Sequence, residues 1–212
     1  MGEVHDMVAN QIQGKHAWSE EFTVVLACNA AGDMLKPMVI FKREALPKLD
    51  QGQQWPRDVV VHVQTKGWLD EAGMRIWAER VLARRPGHVL GRLQARPHLL
   101  IMDSMPAHAT ESIKEHLREN DRAHLAIIPG GCTSALQPLR VNIDRSFMAK
   151  FKALWSEWLM HQGHNAAKPP SPTPYHLTVW VSKAVSQIPR DFISNAFRCL
   201  EEDAKDLVAD TN

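Results

Sequence analysis

The 212-residue sequence predicts an α/β protein in which helices flank a mixed sheet of five strands. Three observations lead to this expectation. β-branched apolar runs alternate along the chain with segments whose apolar residues recur every three or four positions, the periodicity of a helix. A carboxylate, Asp103, stands at the end of one of the apolar runs. An apolar content of 44% is enough to bury a core at this length.

The strand pattern is strongest in the first two thirds of the chain. Strands are predicted on this basis at residues 22–28, 37–41, 59–63, 98–103 and 125–128. Residues 1–20 are polar and show no clear period, so this segment is expected to be irregular. A sheet of this kind then lacks its first strand, and a neighbouring strand keeps an unpaired edge. A homodimer is one way to cover such an edge.

Helices are predicted between and after the strands. One follows Gly67, a second covers 110–120, and a long one begins near Pro138, a residue tolerated in a first turn. The long helix carries an apolar stripe at Ile143, Phe147, Phe151, Leu154 and Trp158. A proline-rich linker at 168–174 precedes two amphipathic segments, around 177–188 and 192–207. We therefore expect three regions, an irregular segment 1–20, an α/β core 21–165 and a linker with C-terminal helices 166–212.

The charge balance restricts the functional classes. Lys and Arg number 25 against 24 Asp and Glu, which argues against charge-driven attraction to nucleic acid over the whole surface but allows a local basic face. Lys42, Arg43 and Lys150 are the candidates for such a face. The three cysteines lie far apart without a paired metal spacing, as in a reduced intracellular protein. No apolar run approaches the length of a membrane span.

Asp103 is the leading candidate for chemistry. A carboxylate at the mouth of a buried strand can hold Mg²⁺ or Mn²⁺, and the alternative is that it ends the strand as a turn or capping residue. A partner carboxylate is expected where the next strand leads into a helix, and there the chain has Arg140. A guanidinium cannot ligate a cation. Asp144, one helical turn further, is a possible substitute, displaced by about 5 Å along the helix axis.

Several of these segments resemble the DDE superfamily endonuclease domain of pogo and Tigger transposases. Domesticated relatives of that domain include the centromere protein B and Jerky groups and the pogo element-derived zinc-finger and KRAB proteins. The resemblance spans roughly residues 20–200 in order, and it is carried by the stretches 22–32, 37–42, 66–68, 102–108 and 129–139. It implies a ribonuclease H-like fold, with which the predicted order of strands and helices agrees.

The resemblance also implies the roles of individual residues. Three acidic residues of the family bind two Mg²⁺ ions, and the second of them corresponds to Asp103, followed here by Ser104 and a retained His108. The third corresponds to Arg140. The first acid of the family belongs to a strand that precedes the 22–28 run. Asp6 does not match it, because Asp6 is too close to Phe22 and its neighbours, His5 and Met7, are not typical of that strand. Asp103 is then vestigial in its family role.

Two functions follow as expectations. The first is a domesticated, catalytically silent domain that acts as a nuclear, chromatin-associated interaction module without a bound cofactor. DNA would be reached through the full-length protein, and the other partners would be chromatin or transcription-regulator proteins. The second is an active Mg²⁺- or Mn²⁺-dependent endonuclease that uses Asp103, Asp144 and an acid from outside this segment. A third option is a sequence-independent DNA-binding module that uses Lys42, Arg43 and Lys150.

Overall fold

The computed structural model describes residues 7–14, 21–85, 97–103, 110–128, 138–161 and 171–198, with the backbone alone for 7–14, 103 and 138–141. Six strands of the described chain form a mixed sheet. They are β1 (Met7–Gly14), β2 (Phe22–Asn29), β3 (Met38–Phe41), β4 (Val60–Val63), β5 (His98–Asp103) and β6 (Ala123–Ile128). Their order across the sheet is β4-β3-β2-β1-β5-β6. β2 is antiparallel to both β1 and β3, and the other neighbouring pairs are parallel.

The first strand corrects the expectation of an irregular segment 1–20 and of a five-stranded sheet. β1 lies between β2 and β5, with Met7 opposite Asn29 on one side and Leu100 on the other. Because β1 contains several polar residues, its sequence lacks the alternation typical of a strand. It forms a strand because its backbone hydrogen-bonds to β2 and β5, and such pairing matters more than local propensity. The edge expected to be unpaired is therefore covered within the chain.

The helices follow the predicted order. They are α1 (Glu71–Arg80), α2 (Glu111–His116), α3 (Pro138–His161), α4 (Pro174–Ser186) and α5 (190–198). Asp70 caps α1 by accepting a hydrogen bond from the Gly73 amide at 2.8 Å, and Thr173 caps α4. The long helix does begin at Pro138. The boundary expected at 165 and the end of the 192–207 segment lie outside the described residues.

Alternation along the strands divides the core into two layers. Phe22 and Leu26 of β2 face α3, α4 and α5, whereas Val25 and Ala27 face α1 and α2. Phe151 of α3 joins the first layer, since its ring centroid lies 6.1 Å from that of Phe22 and 6.0 Å from that of Trp180 on α4. The second layer includes Trp77 and Met74 of α1, both fully buried. These layers hold α3 against the sheet face that carries the candidate site.

Candidate functional site at the end of strand β5

Asp103 is the last residue of β5, as the sequence predicts. It lies opposite Ile128 of β6, and one step before it Met102 lies opposite Ala9 of β1. Continuing that register by one residue sets Asn10 of β1 beside Asp103. Since side chains alternate along a strand, position 103 belongs to the same sheet face as Ile101, which packs against the α3 layer.

Arg140 is the third residue of α3. The helix follows β6 in the chain and covers the face to which positions 101 and 103 belong. The backbone of Arg140 is helical, and further along α3 Ile143 and Phe147 join the layer against which Ile101 packs. Asp6, Ser104 and His108 lie outside the described residues.

Asp144 is half-buried on α3, on the side that faces the sheet. Burial raises the pKa of the Cys28 thiol to about 12, and the negative charge of Asp144 adds to that shift. Cys28, Val8 and Ile101 form one row across the sheet. By sheet geometry the backbone of Cys28 lies about 10 Å across and about 7 Å along the strands from that of Asp103. Asp144 thus lies near β2, and its use as a substitute acid remains a prediction.

A centre for two divalent cations is what the family resemblance implies at this edge. Such a centre needs several carboxylate oxygens at bonding distance from the ions. By residue type, Asp103 is a carboxylate, whereas Asn10 is an amide and Arg140 a guanidinium that cannot ligate a cation. In the part of the chain whose side chains are described, no three acidic, histidine or cysteine side chains lie close enough together to hold a metal ion.

The predicted basic residues stand on separate elements. Lys42 directly follows β3, and its Nζ donates to the Glu21 carboxylate at 2.5 Å. Arg43 is exposed beside it, and Lys150 is half-buried on α3. Because Glu21 neutralises part of the positive charge at Lys42, this lysine attracts an anion less strongly than an unpaired lysine does. Their role in binding nucleic acid remains a prediction.

A buried polar network at the opposite end of β5 and β6 was not singled out from the sequence. Arg85 donates to the Leu82 carbonyl at 2.9 Å and contacts Nδ1 of His98 at 3.2 Å. Burial raises the pKa of Asp121 and lowers that of Arg85, while the charges of the two groups oppose these shifts. No sequence signal links these residues, because they lie on three separate segments, one after α1, one at the start of β5 and one before β6.

The fold resembles that of solved transposase catalytic domains. The structure resembles the crystal structure of the catalytic domain of Mos1 mariner transposase with a TM-score of 0.55, 11% identity and coverage of 97% of this chain and 81% of that one. A second structure of that domain contains raltegravir with Mn, at a TM-score of 0.55 and 12% identity over 97% of this chain and 82% of that one. At such low identity the likeness concerns the fold, which is ribonuclease H-like as predicted.

The sequence identifies the family. The model of the DDE superfamily endonuclease family matches residues 19–197, and the chain belongs to that family. A mouse protein named "Pogo transposable element with KRAB domain" is 30% identical over 182 residues, which cover 83% of this chain and 28% of that protein. A human protein named "Pogo transposable element with ZNF domain" is 28% identical over 134 residues, or 63% of this chain and 9% of that protein.

These comparisons confirm the resemblance to pogo-type transposases. The chain spans little more than a quarter of the length of the KRAB-bearing relative. The described helices include none that combines the length and the apolar character required to cross a bilayer.

Proposed function

We propose that this domain is a domesticated transposase domain that acts in the nucleus as a DNA- or chromatin-associated interaction module and does not cut DNA. The observation that carries the proposal is Arg140 in the first turn of α3, at the position that the family resemblance assigns to the third acid. An arginine is permanently positive and cannot ligate a cation. Asn10, which follows the Ala9–Met102 pair on β1, is an amide rather than an acid and supports the proposal further.

The physical argument is one of charge and position. Two-metal catalysis depends on both cations being fixed so that they stabilise the attacking and leaving oxygens. A single carboxylate cannot fix two ions, and a guanidinium nearby raises the cost of bringing either of them in. The same guanidinium attracts a phosphate group, so the exchange of acid for arginine favours binding over cleavage.

The names of the relatives support the choice of partners. They pair a pogo-type element with a KRAB or a ZNF domain. We infer that this domain likewise works in a longer protein, in which other modules reach DNA and in which chromatin or transcription regulators are the protein partners. The near-balanced charge of the chain supports this role, since it lacks the overall basic character of a domain that grips long DNA.

The second candidate is an active endonuclease in which Asp144 replaces the third acid. The observation in its favour is that Asp144 is half-buried on the sheet side of α3, where its charge acts on Cys28. Its ligand set would require a further acid from outside this segment.

Plasmid nicking by the full-length protein tests the proposal. Supercoiled plasmid is incubated with Mg²⁺ or Mn²⁺ and the wild type, Asp103→Ala, Asp144→Asn or the control Glu111→Ala, an exposed acid on α2. We expect no nicking above the protein-free rate in any of them. Nicking by the wild type and the control that Asp103→Ala abolishes would overturn the proposal, and loss in Asp144→Asn as well would establish the second candidate.

DNA association is tested separately by fluorescence anisotropy with a labelled duplex. Binding that weakens steeply with salt, and that is lost on charge reversal at Lys42, Arg43 and Lys150, would assign direct DNA contact to this domain. Binding by the full-length protein that survives those reversals is the result expected if other modules make the contact.

A further inference from the structure

Strand β4 forms one edge of the sheet, and in the described chain its neighbour is β3 alone. The Val60 amide donates to the Pro37 carbonyl at 2.9 Å, and the Gln64 amide donates to the Phe41 carbonyl at 3.0 Å. Successive peptide groups of a strand point to opposite sides, so the amide of Val61 is directed away from β3. The edge therefore offers backbone donors and acceptors to another strand.

A groove of about 480 Å³ lies against this edge. Its apolar wall is formed by residues 59–61 and by two side chains of the preceding loop, Leu46 and Trp55. Trp55 is half-buried and packs on Phe41, with 6.5 Å between the ring centroids, so this wall is anchored to the core. Leu46 is 53% exposed. The groove thus has an apolar wall beside an open strand edge.

Three cations border the same groove. They are Lys36, Arg80 and Arg84, all exposed. Lys36 donates to the carbonyl oxygen of Arg57 at 3.0 Å rather than to an acid. Among the described residues no carboxylate lies within 4.0 Å of any of the three, whereas Lys42 and Arg75 elsewhere each have an acidic partner. Within the described part of the chain, the rim of the groove therefore carries three positive charges without an ion-pair partner.

We propose that this edge groove binds an extended acidic peptide segment of a partner protein, which pairs with β4 as an added strand. Its backbone would hydrogen-bond the outward groups of β4, an apolar side chain would contact Leu46 and Trp55, and carboxylates would meet Arg80 and Arg84. The inference rests on the proposed role as an interaction module, and it is independent of the residues around Asp103.

The combination of features favours a peptide over a nucleic acid. A phosphate backbone would use the cations but would leave the row of backbone amides and the apolar wall without a function. A peptide strand uses all three, because its backbone repeats at the spacing of β4 and its side chains alternate between the two sides of the added strand.

The test measures binding of a defined probe, a short fluorescein-labelled peptide in which Glu alternates with Val, to this chain by fluorescence polarisation. Three comparison probes are a peptide with Lys in place of Glu, an acidic peptide N-methylated at alternate backbone amides, and a single-stranded oligonucleotide. The protein variants are Arg80→Glu/Arg84→Glu and its matched control Lys152→Glu/Lys183→Glu, which reverses two exposed charges on α3 and α4. Circular dichroism establishes that each variant is folded.

We expect the acidic peptide to bind about tenfold more tightly than the other peptides. Arg80→Glu/Arg84→Glu should weaken the affinity for the acidic peptide about tenfold, whereas Lys152→Glu/Lys183→Glu should change it by less than about twofold. Val61→Pro removes both the outward amide and part of the apolar wall, at an edge position that tolerates proline, whereas Val61→Ala trims the wall and keeps the amide. Val61→Pro should therefore weaken binding more than Val61→Ala does. Hydrogen exchange of the Val61 amide should slow in the complex.

Three results would overturn the proposal. They are equal affinity for the acidic and basic peptides, an affinity that Arg80→Glu/Arg84→Glu leaves unchanged, and tighter binding of the oligonucleotide than of the acidic peptide. None of these results bears on plasmid nicking, so the two proposals fail separately.

Discussion

Substituting Gly32 by alanine tests how the C-terminal helices dock on the sheet. Gly32 lies in the turn between β2 and β3 with φ of +88°, and a Cβ built on it would lie 2.5 Å from the carbonyl oxygen of Arg190, where α5 begins. Gly52 provides a matched control, because its φ is +86° and nothing lies within 4 Å of its Cβ position. Both substitutions therefore cause backbone strain, but of the two only Gly32→Ala also creates a clash with Arg190.

The magnitudes follow from this difference. Left-handed backbone costs an L-residue about 1–2 kcal/mol, so Gly52→Ala should lower the free energy of unfolding by that amount. Gly32→Ala should lower it by about 1–3 kcal/mol more, the usual cost of forcing an extra carbon into a packed site. Urea titrations followed by tryptophan fluorescence measure both, and an unchanged m-value shows that the unfolding transition itself is the same.

An ion pair near the turn must be separated from the steric effect. Arg190 pairs with Asp33 at 2.7 Å, and a shift of α5 would break that contact. Arg190→Ala removes the guanidinium but keeps the carbonyl oxygen, and it should cost less than about 1 kcal/mol, as exposed pairs do. Equal losses of stability in Gly32→Ala and Gly52→Ala would refute the described docking of α5 on the turn.

Three further predictions concern the core and its titratable groups. Phe151→Ala removes the ring that joins β2, α3 and α4, so urea titration should show a loss of about 3–5 kcal/mol, and a loss below about 1 kcal/mol would contradict this packing. Burial lowers the pKa of His62, so the unfolded chain takes up a proton at a higher pH than the folded chain does, and stability falls as the pH drops through 6.5. The melting temperature should fall less between about pH 7.5 and about pH 5.5 in His62→Gln than in the wild type. An equal fall in the two proteins would contradict the lowered pKa of His62. With the other two cysteines replaced by serine, Cys28, whose pKa is raised to about 12, should react with a thiol reagent at about pH 8 only after unfolding, and rapid reaction of the folded protein is the contrary result.

Local pattern was a good guide where an element is buried against the layers of the core. The strands at 22–29 and 98–103 are continuous apolar runs, as expected for strands covered on both faces, and the apolar residues of the long helix from Pro138 recur with a helical period. The same pattern located Asp103 at the end of its strand and Arg140 in the first turn of its helix, both before any tertiary information. Such features depend on neighbours in the chain, which the sequence displays directly.

Pairing across the sheet could not be read in this way. β1 has three polar residues in its middle, Asn10, Gln11 and Gln13, and became recognisable only between two strands that are distant in the chain. The edge groove brings together Leu46, Trp55 and Arg84, which lie on two separate segments with no shared motif. Each of these features exists because long-range packing sets separate segments side by side.

The sequence by itself determined the family and the layered α/β architecture, because residue identity and local period suffice for both. It also predicts, through the resemblance, that Arg140 stands at the position of an acid. The tertiary structure decided that the sheet has a sixth strand, that Asp144 acts on Cys28, and that a cationic apolar groove borders an open strand edge. The physical reason is that hydrogen bonds between strands and electric fields between side chains depend on distance in space, which the order of residues along the chain does not specify.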